Sequence, residues 1–233
     1  MRPLALVLCV LPLAAHGLSP AQAEEILARV DRLRHPWPAF TVDLTVAAGK
    51  INQRWRVAAR ENGDARLDGL SDKEKGRAVL LRGDEMWLLL PGTKHPIRVT
   101  PQQRLLGPAA GGDVARTRFR EDYRVEGAEA ATLEGRSCWR LDLIAKRPSL
   151  SARTVRLWVA REGEVPLLAE FHLASGLLAR TARFDPPVQA SGRSVISRMV
   201  LTEADGSTAT LRFEHWHPGG VDPTWFELPG EPR

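Results

Sequence analysis

Three side chains in this sequence have the reactivity for chemistry in a pattern that could be tested: His215, His217 and Cys138. His215-Trp216-His217 puts two imidazoles at i and i+2, on one side of a strand, where they could begin a metal site. Such a site needs three or four ligands, and the sequence around them offers no evident carboxylate or cysteine set to complete it. Surface histidines at a strand end are the better reading. Cys138 alternates with Trp139, which sets its thiol opposite the inward residues, as packed sulfur rather than a nucleophile. There is no Gly-x-Ser-x-Gly elbow, phosphate loop or dinucleotide fingerprint. The expectation is therefore no enzyme, no metal and no cofactor.

The chemistry that the sequence does carry is an apolar surface. In TVRLWVAREGEVPLLAEFHL, residues 154 to 173, Val155, Leu157 and Val159 fall on one face, and Thr154, Arg156 and Trp158 on the other. A turn at Arg161 to Glu164 reverses the chain, after which Leu167, Ala169, Phe171 and Leu173 share a face while Glu170 and His172 point away. This hairpin must cover either a core or a ligand.

The elements that would position such a surface can be read along the chain. Ser19-Pro20-Ala21-Gln22 has the N-cap, Pro and Gln of a capping box, and Ile26, Leu27, Val30 and Leu33 make a stripe that ends at His35-Pro36-Trp37-Pro38. From there strands dominate. Phe40, Val42, Leu44 and Val46 alternate and are answered by Ile51, Trp55 and Val57; residues 77–82, 85–90 and 97–99 continue the pattern. A second cap, Thr100-Pro101-Gln102-Gln103, predicts a short helix to Leu106, stopped by Gly107-Pro108, and residues 109–120 read as a mobile loop. A strand from Trp139, the hairpin above, and strands at 178–184, 194–202 and 208–216 complete roughly ten strands with two or three helices. No helical crossover interrupts them, so a meandering antiparallel sheet is expected, and twist makes such a sheet curl.

With 233 residues and 43% hydrophobic content, the chain suits one domain with a sizeable core. Arg2, the apolar stretch Leu4 to Ala15 and Ala15-His16-Gly17 read as an export leader, residues 1–17, too short to span a bilayer. Residues 18–233 then form the mature domain. Cys9 follows Leu8 rather than a small residue, which does not suit lipid attachment; without the leader Cys138 is the only cysteine, so no internal disulfide can form. The net charge of +5 comes from scattered arginines, which suits an exported protein near anionic membranes better than a nucleic-acid binder.

Several stretches resemble the periplasmic outer-membrane lipoprotein-sorting proteins, the LolA-like carriers. They are Gly76-Arg77-Ala78-Val79-Leu80-Leu81 with Glu85-Met86-Trp87-Leu88-Leu89-Leu90-Pro91, then Pro96-Ile97-Arg98-Val99-Thr100, Val155-Arg156-Leu157-Trp158-Val159 with Val165-Pro166-Leu167, Ser175-Gly176-Leu177-Leu178, and the closing Asp222-Pro223-Thr224-Trp225-Phe226-Glu227-Leu228. Their order and spacing carry the resemblance over most of the mature chain. It implies a mainly β protein with a few α-helices: an unclosed antiparallel β-barrel whose concave face is covered by helices and whose hydrophobic cavity holds acyl chains. Gly112-Asp113-Val114-Ala115 and an Arg-rich stretch before Glu121-Asp122-Tyr123 depart from the family pattern, so cargo access or partner contact is expected to differ there.

On pattern alone the apolar faces fit a filled core better than a cavity; the resemblance reverses that preference. The expected lining is Trp55, Val57, Met86, Leu88, Leu90, Trp139, Leu141, Leu143, Val155, Leu157, Val159, Leu167, Phe171, Leu173, Leu211 and Phe213. Trp87, Leu89 and Trp158 fall out of phase, as support for a segment laid across the back or as a docking patch. Exposing an acyl chain of about 16 carbons to water costs on the order of 12 kcal/mol, at about 0.8 kcal/mol per methylene. The implied function is a monomeric periplasmic carrier that passes a lipid or lipoprotein from an inner-membrane exporter or permease to an outer-membrane acceptor. The alternative is a LolA-like sensor or regulatory module that binds a membrane protein.

Overall fold

The computed structural model describes residues 17–93, 95–99 and 117–229. The leader up to residue 16, the short helix expected at 100–106 and most of the loop at 109–120 lie outside the described residues.

Helix α1 (Pro20–Arg34) forms as its residues predict: Ser19 Oγ accepts from the Gln22 amide at 3.3 Å and Gln22 Oε1 accepts from the Ser19 amide at 2.8 Å. Strands β1 (Ala39–Ala48), β2 (Ile51–Arg60), β3 (Ala65–Gly69), β4 (Ala78–Arg82), β5 (Glu85–Leu89) and β6 (Ile97–Val99) follow. Phe119 and Arg120, expected in a loop, instead open a helical turn, α2 (Phe119–Asp122), because the carboxylate of Asp31 accepts from both of their amides. Then come β7 (Tyr123–Leu133), β8 (Arg136–Ala145), β9 (Thr154–Ala160), β10 (Pro166–His172), β11 (Leu178–Phe184), β12 (Val188–Ala190), β13 (Arg193–Val195), β14 (Arg198–Glu203) and β15 (Thr208–Pro218), closed by a 3₁₀ turn at Pro223–Phe226.

Thirteen strands make one antiparallel sheet in the order β6-β5-β4-β3-β2-β1-β15-β14-β11-β10-β9-β8-β7, and β12–β13 is a separate hairpin. The sheet begins at β6 and ends at β7 without joining them, so the barrel is open. It curls nonetheless. One apolar cluster takes in Leu67, Val79 and Met86 from one half, Leu141, Val155 and Phe171 from the other, and Ile26, Leu27 and Val30 of α1 between them. Polar contacts bridge the halves across the gap: Arg147 Nη1 lies 3.1 Å from Asp84 Oδ1, and Arg118 Nη2 donates to the Arg60 carbonyl at 2.8 Å.

The segment expected as one strand at 194–202 is broken. Ile196 donates its amide to Leu33 at the end of α1, so Arg193–Val195 pairs with β12 while Arg198–Glu203 pairs with β11 and β15. The out-of-phase residues have partners on the convex side. Trp87 and Leu89 pack with Leu80 beneath Phe226 and Leu228, where the closing segment crosses the back, and Trp158 packs near Cys138 and Ala160.

Candidate functional site

Inward residues of the strands running from β5 through β15 to β8 make the concave wall, because alternation sends every second side chain to that face. Trp55, Met86, Leu141, Leu143, Val155, Leu157, Val159, Phe171 and Leu211 are buried in its cluster, and Val57, Leu88, Trp139 and Phe213 are half-buried against it. The structure brings these thirteen expected lining residues together on one surface. It adds residues that the sequence pattern does not assign to the lining, notably Leu44, Val46, Val79, Leu81, Met199 and Leu201.

Three expected lining residues lie elsewhere. Pro166 sits opposite Val159 and Leu168 opposite Trp158, so Leu167 is the extra residue of a bulge and packs with Cys138 and Ala160 on the other face. Leu173 follows the end of β10 and is 41% exposed beside Leu177 and Leu178. Leu90 falls just past β5 and lines an outer cleft with Arg66, Asp68 and Arg77.

The wall is covered by α1. Ala23, Ile26, Leu27 and Val30 are at most 2% exposed, and Phe119 of α2 stacks on Phe171 with ring centroids 6.4 Å apart. Among the described residues, a small cavity between Arg34, Ile196, Met199, Phe213 and Trp216 has a volume of about 20 Å³, room for one water. An acyl chain needs far more, since ligand pockets run to roughly 300 Å³ and above.

A few polar groups fix the cover. Asp31 accepts from the amides of Phe119 and Arg120 at 2.8 and 2.9 Å, and Arg34 Nη1 donates to the Thr117 carbonyl at 2.8 Å. The Arg34 guanidinium also lies 5.5 Å from the Phe119 ring centroid and 5.9 Å from that of Phe184. Burial raises the Asp31 carboxyl to about 6, against the lowering effect of its two amide bonds and of Arg34 and Arg118. Burial likewise lowers Arg34 to about 10, opposed by Asp31 and Asp122. His35 is held well below its ordinary value by burial and then by Arg34 and Arg118. Sequence reasoning misses this group, although Asp31 and Arg34 stand four and seven residues after Leu27, on its own stripe.

The reactive candidates are dispersed. Cys138 is fully buried, and burial raises its thiol above the ordinary value. His215 has φ 54° at an irregularity in the β1–β15 register, and its Nδ1 lies 3.1 Å from Asp43 Oδ2. Among the described residues no three His, Cys, Asp or Glu side chains are grouped to hold a metal.

A family model with the description "Uncharacterized protein" matches residues 70–227, more than half of the chain. A LolA superfamily protein from Nitrosomonas europaea superposes with TM-score 0.77 at 26% identity, over 88% of this chain and 97% of that one. The chain belongs to the family of the model that matches residues 70–227, and its fold is LolA-like. A putative outer membrane lipoprotein-sorting protein domain from Vibrio parahaemolyticus matches this LolA-like chain with TM-score 0.71 at 19% identity, over 87% and 95% of the two chains. A DUF1329 family protein from Desulfovibrio piger gives 0.73 at 15% identity, over 90% and 98%. No curated protein matches the chain.

Proposed function

We propose that this LolA-like protein is exported to the periplasm by its residue 1–17 leader, and that residues 18–233 act as one carrier domain. It takes up the acyl part of a lipid or lipoprotein and passes it, without chemistry, from an inner-membrane exporter or permease to an outer-membrane acceptor. The observation that carries the reading is the make-up of the concave face: a continuous apolar wall covered, among the described residues, by the 15-residue α1 and Phe119 of α2 rather than by a second sheet. Among the described residues no helix is long and apolar enough to cross a membrane.

Uptake in this reading is an exchange. Apolar contact is non-directional, so an acyl chain can take the place of Ile26, Leu27 and Val30 on the same wall at little net cost. The cover's preference for the wall then rests on the bonds of Asp31 and Arg34 to the 117–120 segment. Each is worth about 1–3 kcal/mol, enough to close the empty protein and weak enough to release it.

Native mass spectrometry of protein purified from periplasm tests the reading. A co-purifying or exchangeable lipid is expected, and its complete absence, after incubation with phospholipid as well, refutes the carrier.

A further inference from the structure

A second cavity, about 300 Å³ in volume, lies where the two halves of the curled sheet meet. The turn at Gly83 forms one side; Arg118, Glu121 and Asp122 at α2, and Lys146 and Arg147 after β8, form the other. Gly83 has φ 55° with nothing within 4 Å of where a side chain would start, so the turn leaves the space open.

Hydrogen bonding around this cavity is unbalanced toward donors. Asp122 has both oxygens engaged, by the Arg118 amide at 3.0 Å and by Arg147 Nη2 at 2.6 Å. Glu121, 60% exposed at its side chain, meets Arg118 Nη1 only at 3.4 Å, and water screens such a pair. The second terminal nitrogen of each guanidinium goes outside this set, Arg118 Nη2 to the Arg60 carbonyl and Arg147 Nη1 to Asp84. What remains are the buried Nε–H groups of Arg118 and Arg147, neither with an acceptor. Lys146 Nζ donates to the Arg120 carbonyl at 2.7 Å and has two further protons to give.

Two guanidinium groups and an ammonium line this open space, and such a lining suits an anion with several oxygens, a phosphate above all. Position supplies the rest. Phe119, the residue after Arg118, is fully buried in the cover and stacked on Phe171 of the wall. The cavity and the trough are thus one residue apart.

We propose that this cavity is a subsite for the phosphate head group of an amphiphile whose chain lies in the trough. The inference rests on the carrier reading and names its substrate class: an anionic phospholipid or a similarly headed lipid. The phosphate of a free anion has the same chemistry, so the test must separate the two sources.

Single-chain phosphatidylglycerol, monoacylglycerol with the same chain, and inorganic phosphate are titrated below micelle formation, with bound species read by native mass spectrometry. The parent protein is expected to favour the phospholipid over the uncharged monoacylglycerol by about tenfold. That preference should fall below about threefold in Arg118→Gln and in Lys146→Ala, with monoacylglycerol affinity unchanged. Lys146 bridges no two halves of the sheet, so its variant keeps the test valid if Arg118→Gln melts early. Equal affinity of the parent for both lipids overturns the subsite and leaves the carrier standing. Binding of neither lipid overturns both. Inorganic phosphate bound as tightly as the phospholipid overturns the head-group assignment in favour of a free-anion site.

Discussion

Replacing Leu27 by alanine, and separately Leu80 by alanine, removes the same atoms from two fully buried sites on opposite faces of the sheet. Leu27 belongs to the covering helix; Leu80 packs beneath Phe226 on the convex side. A buried Leu→Ala change costs about 3 kcal/mol, so each variant should melt roughly 6–12 °C lower in a chain of this size. Their effects on uptake should differ. If α1 leaves the wall as a unit, Leu27→Ala weakens the covered form alone, and the opening equilibrium rises on the order of a hundredfold. Leu80 keeps its surroundings whether the cover is on or off. Stopped-flow uptake of a fluorescent fatty acid, run with protein in excess, reads the open population. Hydrogen exchange across residues 20–34 reads the helix directly. Leu27→Ala should bind faster and exchange faster than the parent, and Leu80→Ala should match the parent in both. Equal uptake by the two variants, with both destabilised, would mean that α1 is a permanent part of the core.

Further outcomes follow from other sites. Asp31 has its carboxyl raised to about 6, so the part of its contribution to stability that depends on holding the proton is fully present below the unfolded value of 3.8 and is lost as pH rises through about 6. The melting difference between parent and Asp31→Asn should therefore shrink between about pH 4 and pH 6 and stay flat above, as thermal melts across that range will show. Cys138 should resist a thiol reagent in the folded protein and react at once in denaturant, because burial disfavours its thiolate; fast labelling of the native form would contradict its placement. Phe171→Ala should lower both melting temperature, by about 3–5 kcal/mol of stability, and fatty-acid affinity, whereas Leu167→Ala should lower only the first.

Most of the wall is legible in the sequence because alternation is local. Val155, Leu157 and Val159 need only their own spacing to be placed on one face, and so do Leu141 and Leu143. Strand β7 escapes such a reading because it is an edge: its Gly, Ala and Glu residues alternate weakly, and among the described residues one of its flanks has no neighbouring strand. Leu167 lies on the face opposite to the expected one because it is the extra residue of a bulge between Pro166 and Leu168, and that insertion is defined only against β9.

By itself the sequence determined the helix with its cap, most of the sheet-forming segments with the apolar face of most of them, and the family that they resemble. The elements follow from periods of two and 3.6 residues and from turn chemistry, all set within a few positions of chain, and the family from the stretches that resemble it. The resemblance implied an unclosed sheet with helices on its concave face; only the tertiary structure decided that its two ends are β6 and β7, and that Asp31 and Arg34 reach the 117–120 segment more than 80 residues away. Those features depend on which distant groups meet out of water. No local pattern encodes that meeting, because the burial that makes a carboxylate or a guanidinium consequential exists only once the sheet has curled around it.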